Sequence, residues 1–386
     1  MIAVVLFWLA LATIFYTYVI YPVILFLLVK FKGSQKVVGN VVNWPTVTVV
    51  VSVYNEGRVL ENKIKNLEMI DYPKEKMTYL FGSDGSNDRT NEILRLCVLP
   101  NFRLEIFPER RGKNVVLNEL IAQADGEIVV LSDANTFYNA DTIKKLVRHF
   151  CDRSVGAVCG ELVLEPGEAT VGGFGEVMYW TYENNLKRFE SEFHTTLGAT
   201  GAVFAIRKEL FQPLPIGKAV APDFVIPMGI VIQGFRVRYE SEAVAYEKTS
   251  DSVMDEFRRK VRIGARNFYG ISEFGSLLHP RHGFVSFALW SRKILRWCVP
   301  VLLLVILVTT GLLAATSEFF RGVLLGEVMF LAVALIGFLA EELKLDIGLF
   351  GLPYYFVAVN MALVVGFIKF VLGLQSPTWE TARNYP

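Results

Sequence analysis

Residues 47–56 read VTVVVSVYNE, a run of β-branched residues that ends in a polar cluster. The same arrangement recurs at residues 77–88, MTYLFGSDGSND, where a second apolar run ends in a turn-rich polar sequence. β-Branched residues favour strands, whereas Gly, Asn, Asp and Ser favour turns. Each stretch therefore predicts a buried strand whose carboxyl end carries polar side chains.

Helix and strand signals alternate from the first of these stretches to residue 131. Apolar residues have helical spacing at residues 60–69, 89–96 and 114–124. Further strand-like runs lie at residues 102–107 and 127–131. This order predicts an α/β fold, a mostly parallel sheet with helices on both faces. Ligands of open α/β sheets bind at the carboxyl ends of strands, so we expect a site among the polar clusters there.

The composition excludes several classes of protein. Of 386 residues, 53% are hydrophobic and 20% are charged, which is too apolar for an ordinary soluble protein and excludes a disordered chain. Net charge is +1, so nucleic acid is not expected as a partner. The four Cys and four His show no spacing typical of a metal site or a disulfide scaffold.

Residues 2–29 carry no charge and are long enough to cross a bilayer. They lack a cleavage site, which indicates an anchor and not a signal peptide. Lys30, Lys32 and Lys36 follow, and by the positive-inside rule they place the amino terminus outside and the next domain in the cytoplasm. Further apolar runs lie at residues 298–317, 322–340 and 347–367. We therefore predict a multi-pass protein of the plasma (inner) membrane.

The expected division of the chain is residues 1–30 as a transmembrane helix, 31–250 as the α/β domain, 251–296 as amphipathic interface helices, 297–374 as a transmembrane region of about three segments, and 375–386 as a tail. If all three later segments span, the tail emerges outside. Its Trp379 and Arg383 suit a cytoplasmic interface better, so one segment is alternatively re-entrant. A transporter would require internal repeats or paired charges within the spans, and we expect charges only in the loop that carries Glu341, Glu342, Lys344 and Asp346.

Three polar clusters could bind a phosphorylated ligand. Asp84 ends a strand, where a carboxylate can accept hydrogen bonds from a base or ribose; a plain turn is the alternative. Residues 110–114, RRGKN, stand at a helix start that would attract phosphate, or they form a solvated basic turn. Asp133 and Asn135 lie two residues apart on an extended loop, so both can face one side. Mg²⁺ takes one or two carboxylates together with phosphate oxygens, and Asp133 suffices as its main protein ligand.

Together these motifs, with VYNE at residues 53–56, resemble the family 2 glycosyltransferases with a GT-A fold, in the cellulose-synthase-like or polysaccharide-synthase-like superfamily. The resemblance covers residues 45 to 270. Downstream, residues 198–202, GATGA, resemble the loop before the acceptor site, and residues 221–223, APD, resemble the acidic motif that carries the catalytic base. The resemblance implies an inverting, metal-dependent enzyme that moves a sugar from a nucleotide-diphosphate sugar, with UDP expected, to a lipid-linked or polysaccharide acceptor. Such transfers belong to exopolysaccharide or cell-envelope biosynthesis.

The resemblance also implies roles for individual residues. Tyr54 and Glu56 line the nucleotide pocket, and Asp84 holds the base or ribose. Lys113 and Arg262 contact the diphosphate, and Asp133 binds Mg²⁺ or Mn²⁺ together with Asn135. Asp223 is the general base, and the acceptor loop includes Gly198, Thr200 and Gly201.

Asp223 begins a predicted helix, so it could be a simple helix cap, and the helix dipole should lower its pKa. Capping and catalysis are compatible, since a base need only be ionised and within reach. Glu190 or Glu192 would be weaker substitutes.

One departure from the family bears on the product. Processive members carry a Gln-x-x-Arg-Trp element, and residues 259–263 here read RKVRI, so Arg262 is kept while Ile263 replaces Trp. An aliphatic side chain offers no flat ring face to a sugar. This favours one or a few transfers. A processive synthase of the hyaluronan, cellulose or poly-N-acetylglucosamine type and a catalytically silent scaffold stay open as alternatives.

Two further features keep two interpretations each. The basic residues of segment 255–268 suit a helix on an anionic membrane surface or a solvated face. Trp180, Tyr182 and Phe189 are acceptor-site aromatics or core residues. No pattern indicates an oligomeric state.

Overall fold

The computed structural model describes residues 1–33, 43–165, 171–248, 253–343, 345 and 348–376. Five residues named above lie outside these ranges: Lys36, Lys344, Asp346, Trp379 and Arg383.

Within the described ranges, eight strands form one sheet in the order β3-β2-β1-β4-β7-β6-β8-β5. The strands are β1 Val47–Val53, β2 Met77–Asp84, β3 Phe102–Phe107, β4 Ile128–Ser132, β5 Phe137–Tyr138, β6 Val155–Glu165, β7 Val203–Arg207 and β8 Arg236–Lys248. β1 pairs in parallel with β2 and β4, and β2 with β3, so the four strands expected from the sequence end at one edge. β7 is antiparallel to β4 and β6, and β5 is antiparallel to β8, which makes the complete sheet mixed.

Helices cover both faces of the sheet. They are α2 Leu60–Glu68, α3 Thr90–Arg95, α4 Lys113–Gln123, α5 Thr142–Val147, α6 Val171–Phe193, α7 Pro222–Ile232 and α8 Val253–Glu273. Val50 of β1 joins an apolar core with α4 and α7, whereas Val49 and Val51 join a second core with α2, α3 and α5. Alternate residues of a strand point to opposite faces, so every residue of β1 is buried. The predicted α/β fold with helices on both faces is confirmed.

Three described helices are long and apolar enough to cross a membrane: α1 Ile2–Lys32, α11 Glu318–Glu342 and α12 Leu352–Val371. In the chain between α1 and α11, helices α9 Phe284–Trp297 and α10 Val299–Ala314 form a pair bent by 53°. If this bent pair crosses the membrane as a single span, it is the fourth candidate span. Pro300 stands in the first turn of α10 and removes a backbone donor at the bend.

The apolar run at residues 322–340 contains an acidic residue, so the expectation that charges lie only in the loop after it is wrong. Glu327 lies inside α11, and Thr310 of α10 donates its hydroxyl hydrogen bond to the Glu327 carboxylate at 3.1 Å. Glu341 and Glu342 end α11, so their predicted position in a loop is wrong.

Helix α6 carries three buried glutamates on one face, which we call the acidic ladder: Glu176, Glu183 and Glu190. They are seven residues apart, about two helical turns, and therefore point in the same direction. Burying a carboxylate without a partner costs several kcal/mol, so each rung requires a cation or donor from a neighbouring element.

Three other helices supply those partners. Arg259 of α8 pairs with Glu176, and Arg296 of α9 pairs with Glu183. Arg292 of α9 bridges two rungs, with its guanidinium nitrogens 2.8 Å from Glu183 and 2.5 Å from Glu190. Tyr21 of α1 donates its hydroxyl to Glu190 at 2.8 Å. The ladder thus joins the α/β domain to the apolar helices at both ends of the chain.

Helix α8 packs directly on α12 at a glycine. A Cβ on Gly366 would lie 2.9 Å from the Val261 carbonyl oxygen and 3.1 Å from the Ala265 nitrogen, both in α8. Phe268 of α8 stacks against Phe370 of α12, with ring centroids 5.8 Å apart. The predicted interface helix therefore lies against a candidate membrane helix.

Candidate active site

A cavity of about 270 Å³ opens at the carboxyl ends of β1 and β4. The walls come from the start of α4, the loop after β4, the loop before β7, the start of α7, the end of β8 and helix α8. Eight of the residues expected in the site line it: Glu56, Lys113, Asp133, Asn135, Thr200, Gly201, Asp223 and Arg262.

Asp133 and Lys113 form an ion pair in this cavity. Asp133 directly follows β4, and Lys113 is the first residue of α4. The Lys113 ammonium lies 2.5 Å from Asp133 Oδ1, and the two side chains are 23% and 33% exposed. A cation and a carboxylate thus meet at the edge where phosphate binding was expected.

Asp133 and Asp223 flank Gly201. The Oδ2 atoms of both carboxylates are 3.7 Å from the point where a Cβ on Gly201 would sit. Asp223 lies in the first turn of α7, and its carbonyl accepts a hydrogen bond from the Ala199 N–H at 2.7 Å. That bond ties the GATGA loop to the acidic motif, so two carboxylates from distant segments face one space.

Burial raises the pKa of Asp223, and the negative charge of Asp133 acts in the same direction. The Lys113 ammonium opposes the shift without reversing it. The expectation that the helix dipole would lower this pKa is wrong, because the loss of water around the carboxyl outweighs the dipole.

Asn135 is held by a residue that the sequence analysis did not identify. Its side-chain amide donates a hydrogen bond to Glu247 Oε1 at 2.8 Å, which leaves the amide oxygen as an acceptor. Glu247 comes from the end of β8 and also lines the cavity. A carboxylate and an amide oxygen are ligands that suit Mg²⁺ or Mn²⁺. Among the residues with described positions, no three His, Cys, Asp or Glu are arranged to hold a metal, so ligand oxygens would have to complete such a site.

Two ionisable groups beside Asp133 have perturbed pKa values. Burial and repulsion by Asp133 raise the pKa of Glu56 to about 7. Burial lowers the pKa of Lys63, which is fully enclosed, to about 7. Lys63 donates to Ser132 Oγ at 2.7 Å and to the Thr136 carbonyl at 2.6 Å, so it fixes both ends of the loop that carries Asp133. A lysine on an amphipathic helix gives no signal of this role in the sequence.

Asp84, Tyr54 and Gly198 do not line the cavity. The buried Asp84 carboxylate accepts backbone hydrogen bonds from Arg111 at 2.6 Å and Gly112 at 2.9 Å, and so holds the basic loop in place. The Arg110 guanidinium lies over the Tyr54 ring, 3.8 Å from its centroid. These contacts form a wall beside the cavity that connects the ends of β1 and β2 to the start of α4.

Helix α8 supplies the positive side of the cavity with Arg259, Arg262 and Arg266. Arg259 is bound by the ladder and by Glu256 at 2.6 Å. Burial, together with the charge of Arg262, lowers the pKa of Arg266 to about 10, and the Asp223 carboxylate opposes that shift. Ile263, in the position of the family tryptophan, lines the cavity and is 37% exposed.

The GATGA loop at residues 198–202 is held by a buried lysine. Lys187 of α6 donates to Thr200 Oγ1 at 2.7 Å and lies 5.1 Å from the centre of the Trp180 ring. Trp180 lines the cavity, and its buried indole N–H has no hydrogen-bond partner among the described residues.

The other residues considered for the acceptor or the base lie elsewhere. Tyr182 donates to the Tyr18 carbonyl at 3.3 Å, and Phe189 packs against Phe26. Glu190 belongs to the acidic ladder, and Glu192 does not line the cavity. Neither glutamate is placed to replace Asp223.

This α/β sheet, with acidic and basic side chains at its strand ends, is that of a GT-A-type domain. Over 96% of its length the chain superimposes on 98% of the mannosyltransferase PcManGT from Pyrobaculum calidifontis, a complex with GDP-Man and Mn²⁺, with a TM-score of 0.75 and 22% identity. Residues 48–214 match the family model described as glycosyl transferase family 2. The matched region lies within residues 45 to 270, over which the motifs resemble that family.

Two curated relatives share this region. The poly-beta-1,6-N-acetyl-D-glucosamine synthase of Staphylococcus aureus (strain COL) is 22% identical over 238 residues, which are 61% of this chain and 57% of that protein. The probable glycosyltransferase YdaM of Bacillus subtilis (strain 168) is 22% identical over 244 residues, 61% of this chain and 58% of that protein. The match thus spans less than two thirds of the length of these relatives.

Proposed function

We propose that the protein is a membrane-bound, inverting glycosyltransferase. It would move a sugar from a nucleotide-diphosphate sugar to a hydroxyl of a lipid-linked or glycan acceptor, in exopolysaccharide or cell-envelope biosynthesis. The observation that supports this most directly is the position of Asp133 and Asp223 on either side of Gly201, in a cavity that also holds Lys113 and Arg262. Two carboxylates and two cations are what a donor diphosphate and an attacking hydroxyl require.

The donor end of the cavity is the side of Lys113 and Asp133. Lys113 and Arg262 would contact the diphosphate, because a nucleotide diphosphate leaves only when its charge is offset. Asp133 with the Asn135 amide oxygen would hold Mg²⁺ or Mn²⁺, which when bound stabilises the charge that develops on the leaving group. Glu56 lines the same end, and Tyr54 would contact the nucleoside beyond it. Asp84, whose carboxylate accepts from Arg111 and Gly112, would act there by holding the loop beside the nucleoside. UDP is the nucleotide we expect from the motifs.

Asp223 would act as the general base. It would take the proton of the acceptor hydroxyl as the oxygen attacks the anomeric carbon opposite the diphosphate, and a single displacement of this kind inverts the anomeric configuration. Its raised pKa makes it a stronger base than an ordinary aspartate. Among the described cavity residues, Asp223 is the carboxylate bonded through its backbone to the acceptor loop.

The acceptor would meet the enzyme beside Gly198, Thr200, Gly201 and Trp180. Aromatic rings stack on sugar faces, and Trp180 lines this side of the cavity. The packing of α8 on α12 puts one wall of the cavity next to a candidate membrane helix. We therefore favour an acceptor in the plasma membrane and a cytoplasmic catalytic domain, with the division of the chain at residues 30, 250, 296 and 374 as predicted.

The direct test is the release of nucleoside diphosphate by detergent-purified protein. UDP- and GDP-linked sugars would each be supplied with Mg²⁺, with Mn²⁺ or with EDTA, in the presence of membrane lipid extract. Metal-dependent release from one donor, lost in both Asp133→Asn and Asp223→Asn, supports the proposal. Asp125→Asn is the matched control, because Asp125 is 79% exposed and pairs with Arg103 outside the cavity. Nucleotide binding without release from any donor would favour a silent scaffold.

A second experiment tests the acceptor side alone. Trp180→Ala should lower transfer to the acceptor by about tenfold, in line with the loss of a stacking contact of 1–3 kcal/mol such as bases make with aromatic side chains. Hydrolysis of the donor by water should stay unchanged, since water makes no stacking contact with a ring. Equal loss of both activities would contradict an acceptor role. Product length measured in the same assay would separate single transfer from a processive synthase.

A further inference from the structure

Lys113 and Asp133 have separate tasks in the proposed reaction, yet they are bonded to each other in this structure. The ammonium lies 2.5 Å from Asp133 Oδ1. The Asp133 carboxylate is a ligand that the divalent cation would use, and the Lys113 ammonium is a group that the diphosphate would use. Both tasks therefore compete with the Lys113–Asp133 ion pair.

We propose that Lys113 is a displaceable counter-ion of the metal site, so that the divalent cation and the nucleotide diphosphate each promote binding of the other. The proposal rests on the function proposed above. In the absence of donor, Lys113 neutralises Asp133. A divalent cation that binds Asp133 releases the ammonium, which then pairs with the diphosphate.

The charges around Asp133 explain why a counter-ion is needed. Glu56 and Asp223 both repel Asp133, and each has its pKa raised in part by it. Lys113 attracts all three carboxylates. Without the ammonium, this group of acids would attract a divalent cation strongly even in the absence of donor.

The structure also allows the ammonium to move. Lys113 begins α4 directly after Gly112, whose φ of 93° is the left-handed region that favours glycine. The Gly112 N–H is fixed on Asp84, so the backbone stays in place. The lysine side chain is 23% exposed, and its four-carbon stem can rotate into the cavity.

Lys63 also lies near Asp133, but it cannot act as the displaceable counter-ion. It is fully buried and donates to Ser132 and Thr136, not to the Asp133 carboxylate. Lys63 holds the two ends of the loop that carries Asp133, whereas Lys113 contacts the Asp133 carboxylate on the cavity side.

Mn²⁺ binding to the purified full-length protein, measured by electron paramagnetic resonance with and without UDP or GDP, tests the proposal without any turnover. For the wild type we expect Mn²⁺ to bind at least about fivefold more tightly with nucleotide than without it, the lower end of typical coupling between two ligands. Lys113→Met should bind Mn²⁺ alone more tightly than the wild type and should lose most of this coupling. Lys113→Arg keeps the ion pair and should bind Mn²⁺ alone no more tightly than the wild type.

Lys145→Met is the matched control. It removes the same charge from a surface ion pair with Asp141, outside the cavity, and should leave Mn²⁺ binding unchanged. Weaker Mn²⁺ binding in Lys113→Met would show that Lys113 positions Asp133 and would overturn the proposal. Equal coupling in Lys113→Met and the wild type would overturn it as well. In both cases the transferase could still be active, whereas no Mn²⁺ binding by any variant with either nucleotide would refute the metal assignment itself.

Discussion

Replacing Gly366 by alanine is expected to weaken the contact between α12 and α8 and to slow transfer. The new methyl carbon would meet the Val261 carbonyl oxygen at 2.9 Å and the Ala265 nitrogen at 3.1 Å, against the 3.4–4 Å of ordinary van der Waals contact. Both atoms belong to the backbone and cannot rotate away. The two helices must therefore separate by roughly half an ångström, a change of the kind that costs about 1–3 kcal/mol in a packed interior.

Gly326 provides the control for this change. It lies in the candidate membrane helix α11, and nothing is within 4 Å of the Cβ it would gain. The two alanine variants share any gain in helix propensity, so that contribution cancels in the comparison. Gly366→Ala should therefore be about 1–3 kcal/mol less stable than Gly326→Ala.

Two measurements check the prediction. Thermal unfolding of both variants in detergent reports the difference in stability, and nucleoside diphosphate release reports the displacement of Arg262 and Arg266 on α8. Shifts well below 1 Å at a catalytic site can cost severalfold in rate. If Gly366→Ala matches Gly326→Ala in both stability and rate, the helices are not in tight contact at this point, and the proposed closeness of the cavity to the membrane helices loses its structural basis.

Three further outcomes are expected. Asp223→Asn should lower kcat by about 10² to 10⁴ with little change in nucleotide binding. Wild-type kcat should fall as pH drops, with a midpoint above the ordinary pKa of an aspartate because burial raises the pKa of this base; a midpoint at or below that ordinary pKa would contradict the assignment. The pKa of Lys63 is lowered to about 7 in the folded protein. Between pH 7 and 10, Lys63 has therefore lost its proton in the folded protein but keeps it in the unfolded chain. The free energy of unfolding of the wild type should therefore rise relative to Lys63→Met by about 1 kcal/mol per pH unit across pH 7–9, and parallel curves in denaturant titrations would show that Lys63 stays charged. Arg292→Met leaves Glu183 and Glu190 short of a cation and should destabilise the protein by about 3–5 kcal/mol, measured against Arg103→Met, which breaks an exposed pair; equal losses would contradict the ladder.

The first half of the sheet could be predicted from the sequence because its signals are local. Six of the seven residues 47–53 are β-branched and all seven are buried, which produces a clear strand signal, and β3 and β4 end within one residue of the predicted positions. The second half could not be predicted in this way. β7 inserts in antiparallel orientation between β4 and β6, and strand order of this kind depends on packing between segments far apart in the chain.

The candidate site likewise contains residues that local sequence patterns predict and residues that they do not. Asp133 and Asp223 were found from motifs, since each stands at an element boundary where an acidic residue is conspicuous. Glu247 is 112 residues from the Asn135 amide that it binds, and no local pattern connects them. The direction of the pKa shift of Asp223 could not be predicted either. The sequence pattern shows that Asp223 begins a helix, but it does not show how deeply the carboxyl is buried.

The acidic ladder has a mechanical consequence for the reaction. Its rungs are neutralised only while α1, α6, α8 and α9 keep their present register, and sliding by one turn would separate at least one buried carboxylate from its arginine. The α/β domain therefore cannot shift or rotate independently of the apolar helices. In the proposed reaction, Asp223 would then stay at a constant distance from the candidate membrane helices. A hydroxyl would reach Asp223 only if the molecule that carries it has the right length between its anchor and its reactive end.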